Sequence, residues 1–183
     1  MNPNVEQAER QLGDLQQVEG RWQLRFVRRL QHPPEKVWRA LTEPEHLAVW
    51  FPSTVEGERT AGAKLRFTFP FDDAPVMDGE MVVYEPPSVL EFTWGEGDLL
   101  RFELQPDDDG TVLTLLDRFD EQGRAARDGA GWHASLDVLT YHLAGEPTPW
   151  PPDERWSHVN QLYIEHLGPE ASTIGPPNWH PEG

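Results

Sequence analysis

The sequence predicts an α+β domain in which a curved antiparallel sheet closes around one long helix near the C-terminus. Three features of the chain carry this expectation. Two short tryptophan-bearing helical segments follow an opening hairpin, a series of alternating apolar runs separated by turn residues fills the middle, and a longer apolar helical stripe comes at 131–145. Strand runs with no helix between them need only hairpin connections and so form an antiparallel sheet. The helix that follows has one apolar face to cover, and the sheet's concave side can cover it.

Each element has a local reason. Runs at 12–18 and 21–30 flank Glu19-Gly20, and Trp22, Leu24 and Phe26 alternate with Gln23 and Arg25, the pattern of a hairpin with one buried face. His32-Pro33-Pro34 ends that strand and opens a helix, because proline lacks the donor a ladder needs yet suits a first helical turn. Val37, Trp38 and Leu41 form the apolar side of this helix. Thr42 and Glu45 have capping-box spacing around Pro44, which predicts a second short helix through Leu47 to Trp50. Strands are expected over 53–58, 64–69, 76–85, 88–94, 98–105 and 111–119.

Period-two alternation assigns the inward face: Leu65, Phe67 and Phe69; Leu90, Phe92 and Trp94; Leu100, Phe102 and Leu104; and Leu113, Leu115, Asp117 and Phe119. Asp107-Asp108-Asp109-Gly110 has the chemistry of a solvated turn and lacks the spaced ligands of a calcium loop. From about Asp128 a helix carries Trp132, Leu136, Leu139 and Leu143 in one stripe and ends at Gly145 and Pro147. Beyond a Pro-rich linker, Trp156, Val159, Tyr163 and Leu167 recur at helical spacing within 153–167, an extra C-terminal helix expected to dock on the outside. The chain thus divides into a flexible N-terminus at 1–11, a domain at 12–146, and a linker, docking helix and tail at 147–183.

Composition narrows the function. Against 15 basic residues stand 32 acidic ones, a net charge of −17, which repels phosphate backbones and anionic lipid surfaces, so neither nucleic acid nor membrane is an expected partner. The chain has no cysteine. Disulfides, thiolate metal sites and a cysteine nucleophile are therefore excluded, and a reducing compartment fits. With no secretion-type opening and no membrane-length apolar run, the expected location is the cytoplasm. Metalloprotease, nucleophile-elbow, phosphate-loop and dinucleotide motifs are all missing, so no catalytic residue, metal or cofactor is assigned.

Three segments, FVRRLQHPPEKVWRALTEPEHLAVWFP, DGEMVVYEPPSVLEFTWG and GWHASLDVLTYHLAG, resemble the activator of heat-shock protein 90 ATPase homologue family, within the START-like superfamily of helix-grip folds. The resemblance covers roughly residues 13–167. It implies a sheet of about seven antiparallel strands gripping the C-terminal helix, with two small helices filling the gap. Distant members of that superfamily bind lipids, sterols or aromatic polyketides, and some catalyse cyclisation.

The residues and the resemblance together predict a binding module that takes a small hydrophobic or aromatic molecule into an internal cavity, as a monomer or homodimer. The expected walls are Trp50, Phe67, Phe69, Trp94, Phe102, Leu115, Trp132 and Leu136, since flat rings and aliphatic groups suit an apolar ligand. Asp117 is a carboxylate on an otherwise apolar inward face, and His133 lies on the flank of the helical stripe; the two are the expected polar anchors. A protein-interaction adaptor linked to heat-shock protein 90 is the alternative, which requires an exposed apolar patch and no sizeable cavity. A cyclase or hydrolase is a third, which requires Asp117 and His133 to reach one substrate position as acid and base.

Overall fold

Positive φ angles at Glu19 (52°) and Gly20 (81°) turn the chain back between β1 (Asp14–Val18) and β2 (Arg21–Leu30). Two left-handed central residues give a two-residue turn whose twist matches that of the strands, and Val18 sits opposite Arg21 as this requires. The computed structural model of this protein describes residues 11–177; all but the last residue of the N-terminus expected to be flexible, and the end of the tail with Trp179, lie outside the described residues. Along β2, Leu24, Phe26 and Leu30 are buried as the alternation predicts, and Arg28 is buried with them.

Prolines in their first turns begin α1 (Pro34–Thr42) and α2 (Pro44–Trp50). The expected capping box does not form. Thr42 is the last residue of α1 and its hydroxyl donates to the Trp38 carbonyl at 2.8 Å, while Glu43 caps α2 without a side-chain bond. Pro44 is the reason: fixed in φ at the first helical position, it moves the cap one residue past the threonine. The Trp50 indole donates to the Ala40 carbonyl at 2.8 Å and ties the two helices together.

After α2 the chain reaches the far edge of the sheet and returns strand by strand through β3 (Thr54–Glu56), β4 (Lys64–Thr68), β5 (Met77–Glu85), β6 (Val89–Trp94), β7 (Asp98–Asp107) and β8 (Gly110–Phe119). One eight-stranded sheet results, in the order β1-β2-β8-β7-β6-β5-β4-β3, with every pairing antiparallel. β7 runs past its expected end through Pro106, whose missing N–H is tolerated where the ladder closes into the hairpin at Asp107 and Gly110.

The long helix α3 (Ala125–Ala144) starts three residues before its expected position, led in by a short 3₁₀ turn at Gln122–Arg124. Ala125, Ala126 and Ala130 are fully buried, and that packing offsets the low helix propensity of Gly129 and Gly131. Gly145, at φ 71°, ends the helix, with bonds from the Gly145 N–H to His142 and from the Glu146 N–H to Tyr141. The sheet grips this helix, and the extra helix α4 (Pro152–Leu167) docks against it through fully buried Val159 and Tyr163. A Cβ on Gly129 would stand 2.9 Å from the Tyr163 ring, so only glycine lets the two helices approach this closely.

At ~100° per residue α3 presents three sectors. Ala125, Trp132, Leu136, Leu139 and Leu143 face the sheet, and all are buried. Gly129, His133 and Asp137 face α4, contacting Tyr163 or Arg155. The third sector, with Asp128, Gly131, Ser135, Val138 and His142, borders open space.

Candidate functional site

Beneath α1 and α2 the interior is filled. Trp50 meets Phe102 edge to face with ring centroids 6.2 Å apart, Phe51 meets Phe92 edge to face at 6.3 Å, and Phe92 lies tilted against Phe102 at 6.3 Å. The void remaining among Leu41, Leu90 and Phe92 is about 10 Å³, at or below the size needed for one water. The free volume lies elsewhere. A cleft of about 1050 Å³ runs along the third sector of α3, bounded by the end of α2, the rim of β4 to β7, the linker and the start of α4.

Half of the residues expected to meet a ligand line this cleft: Trp50, Phe69, Trp94, Asp117 and Trp132. The structure places Phe67, Phe102, Leu115 and Leu136 in the packed interior behind it, each at most 1% exposed. Phe67 supports the wall from behind, its ring 4.8 Å from that of Trp94. Trp94 in turn meets Trp132 at 5.7 Å, so the two indoles make one continuous surface.

Asp117 forms part of the cleft floor. Its neighbours across the sheet are Leu24 on β2 and Leu100 on β7, both fully buried, and Asp117 itself is 1% exposed. The Trp132 indole N–H donates to Oδ2 at 3.1 Å, whereas Oδ1 has no partner. Burial raises the carboxyl well above the ordinary range, and Asp128 and Asp98 raise it further, against smaller opposing contributions from Arg124 and the indole. Arg124 cannot neutralise it alone because it is already shared: it bonds Asp98 on one side and Asp128 on the other, the latter at 2.6 Å. Burial pulls the Arg124 guanidinium down, but the two flanking carboxylates outweigh this and hold it above its usual value.

His133 faces away from the cleft. Its Nδ1 lies 2.9 Å from the Tyr163 hydroxyl, which also accepts the Gly13 N–H at 2.7 Å, and the imidazole is fully buried. Burial, with the Arg28 and Arg155 cations nearby, lowers it to about 2, so it is neutral. Arg155 donates to Asp137 Oδ2 from Nε at 2.9 Å and from Nη2 at 2.7 Å, completing a buried polar clasp between α3 and α4. The expected Asp117–His133 pair is therefore not formed, because the two residues serve opposite flanks of the helix.

Several cleft residues were not anticipated. Arg124, Asp98 and Asp128 form the ionic edge, and Phe71, Tyr141, Trp150 and Trp156 add aromatic wall. A signal for part of this was present: Arg124, Asp128, Gly131, Ser135, Val138 and His142 recur at three- and four-residue spacing, a small and polar stripe beside the apolar one. The linker and α4 contributions have no such periodicity. Among the described residues no group of three or more His, Asp or Glu is arranged to hold a metal, and no helix is long and apolar enough to cross a membrane.

Residues 31–144, well over half of the chain, match the family described as activator of Hsp90 ATPase homolog 1-like protein. None of the curated proteins matches the sequence significantly. Solved structures with the same fold include CalU16 from Micromonospora echinospora, 22% identical over 85% of this chain and 95% of that one, with a TM-score of 0.67. A conserved protein of unknown function from Enterococcus faecalis is 22% identical over 85% and 90% of the two chains, TM-score 0.68. A Bordetella parapertussis protein is 28% identical over 86% and 93%, TM-score 0.65. These structures share the START-like helix-grip fold.

Proposed function

The chain belongs to the activator of Hsp90 ATPase homolog 1-like family, and on that premise we propose that its cleft binds a small hydrophobic or aromatic molecule without transforming it. The observation that carries the reading is a space of about 1050 Å³ walled by Trp50, Phe69, Trp94 and Trp132, against a void of only about 10 Å³ beneath α1 and α2. Ligand pockets run to roughly 300–1,000 Å³ and are mostly apolar with a few placed polar groups. This cleft sits at the upper end of that range, with Asp117 as its buried polar group. Rings held edge to face by their neighbours lose little freedom on binding, which favours affinity for a flat partner.

The placement of the two expected polar anchors supports the non-catalytic reading. The acid–base pair that the cyclase or hydrolase reading requires is not assembled, because Asp117 is at the cleft floor and His133 is committed to Tyr163 on the other side of α3. The adaptor reading has less support: the exposed large apolar residues among those described are Val27, Val49, Val76, Val82 and Ile164, with none of the aromatic anchors that mark docking faces.

Native mass spectrometry of protein purified from its own host tests the proposal. A retained small molecule that quenches tryptophan fluorescence and is lost on Trp94→Ala is expected. Recovery of only the bare chain, together with no fluorescence response to a panel of aromatic compounds, would refute it.

A further inference from the structure

The charge around the cleft is unbalanced. Its wall carries the carboxyl groups of Glu96, Asp98, Asp117, Asp128 and Glu146 against three arginines, Arg124, Arg127 and Arg155. Every one of those arginines is occupied. Arg124 bonds Asp98 and Asp128; Arg127 bonds Asp128 at 3.1 Å and the Gly175 carbonyl at 2.8 Å; Arg155 is bound to Asp137, outside the cleft wall. Each guanidinium already faces a carboxylate, so none offers an anion an uncompensated positive charge, while Asp117 Oδ1, in a residue 1% exposed, has no partner.

We propose that the cleft selects a cation: a flat aromatic molecule carrying a positive nitrogen, seated against the Trp94 and Trp132 rings with Asp117 beneath it as counter-charge. The inference rests on the ligand-binding reading above and names its substrate class. Two physical effects converge. Indole faces attract cations through their quadrupole, most strongly where water is excluded, and a carboxyl in an apolar floor interacts with a nearby charge far more than an exposed one does. Direct contact with Oδ1 is not required, because the attraction acts across several ångströms of low-dielectric space.

The Asp117 carboxyl is raised well above its ordinary range by burial, by Asp128 on α3 and by Asp98 on β7, with the shared Arg124 and the Trp132 indole N–H opposing. β2 contributes Leu24 at this point and no charge. An arriving cation supplies the missing partner, so Asp117 gives up its proton to solvent and becomes the carboxylate. Binding and proton release are then linked, and the affinity for a permanent cation rises with pH through the range in which Asp117 titrates. A carboxylate ligand meets the reverse: no free cation and added repulsion from the rim.

Three tricyclic probes of nearly equal shape test this: 9-aminoacridine, a cation; 9-anthracenemethanol, neutral; and anthracene-9-carboxylate, an anion. Binding is followed by tryptophan quenching and calorimetry. The expected order is cation tightest by about tenfold or more over the alcohol, and anion weakest, with the preference persisting in high salt because a buried pair is poorly screened. Calorimetry in buffers of different ionisation enthalpy shows proton release for the cation only. Asp117→Asn, which keeps shape and removes the charge, cuts most of the cation's advantage over the alcohol and leaves only the share owed to the indole faces. Asp109→Asn, an exposed acid at the β7–β8 turn, changes neither and controls for the overall charge of −17. Equal binding of cation and alcohol by the parent chain, or a cation preference undiminished in Asp117→Asn, would overturn charge selection by Asp117 while leaving the ligand cleft standing. Binding of none of the three would overturn the ligand-binding reading and this one with it. Should Asp117→Asn fail to fold, the pH dependence and proton release of the parent protein decide the matter: no proton release and a flat profile refute it.

Discussion

Asp117 illustrates how one residue couples stability to function. Parity on β8 sends it inward among Leu113, Leu115 and Phe119, where an apolar residue would pack at lower cost. In the unfolded chain its carboxyl titrates near 3.8, and burial moves the folded value well above that. Between those two values the folded protein holds a proton that the unfolded chain has released, so stability falls as pH rises; below 3.8 both states are protonated and the cost vanishes. Asp117→Asn should accordingly raise the melting temperature at pH 8 and bring little or no gain near pH 4. Denaturation curves of the two proteins at both pH values check this, and a variant less stable than its parent at pH 8 would contradict it.

Among the elements, α3 is the one whose two glycines have different tasks. At Gly129 a methyl group would press on the Tyr163 ring at 2.9 and 3.0 Å, and that ring is pinned by bonds to Gly13 and His133. Overpacking of this kind costs about 1–3 kcal/mol, of which a helix-propensity gain of up to about 1 kcal/mol is returned. Gly129→Ala is therefore expected to lose stability, with α4 displaced. At Gly131 the nearest atom is Trp156 Nε1 at 4.0 Å, so Gly131→Ala should be neutral or stabilising by up to about 1 kcal/mol. Urea titrations of the pair measure the difference, and equal effects at the two positions would disprove the assignment of the sectors.

For the molecule as a whole, the clasp between α3 and α4 sets acid tolerance. Buried His133 is held at about 2, against 6.5 for a free imidazole. As pH falls below 6.5 the unfolded chain takes up a proton that the folded chain refuses, so this group withdraws stability progressively on the acid side and contributes no slope above 6.5. Replacing it with an uncharged residue, His133→Gln, is expected to flatten the stability profile between pH 6.5 and 4, whatever it does to stability at pH 8. A profile parallel to the parent's over that range would show that His133 is not the group responsible.

Much of this architecture could be read before any coordinates. Alternation in 98–105 and 111–119, the turn chemistry at Glu19-Gly20 and at Asp108, and the stripe from Trp132 to Leu143 specify the strands, their faces and the gripping helix, since each pattern is local and tied to a fixed backbone period. The inward position of Asp117 follows from the same parity. Which flank of α3 stays open does not. His133 and Gly131 lie ~100° to either side of Trp132, equivalent by periodicity. The choice between them is made by α4, which lands on the His133 flank because Gly129 admits Tyr163 there and Arg155 meets Asp137. Local periods suffice for the sheet, the helix and a carboxyl beneath it. Where space remains emerges only on packing, because an unfilled volume is set by contacts between segments far apart in the chain, and no short-range period encodes them.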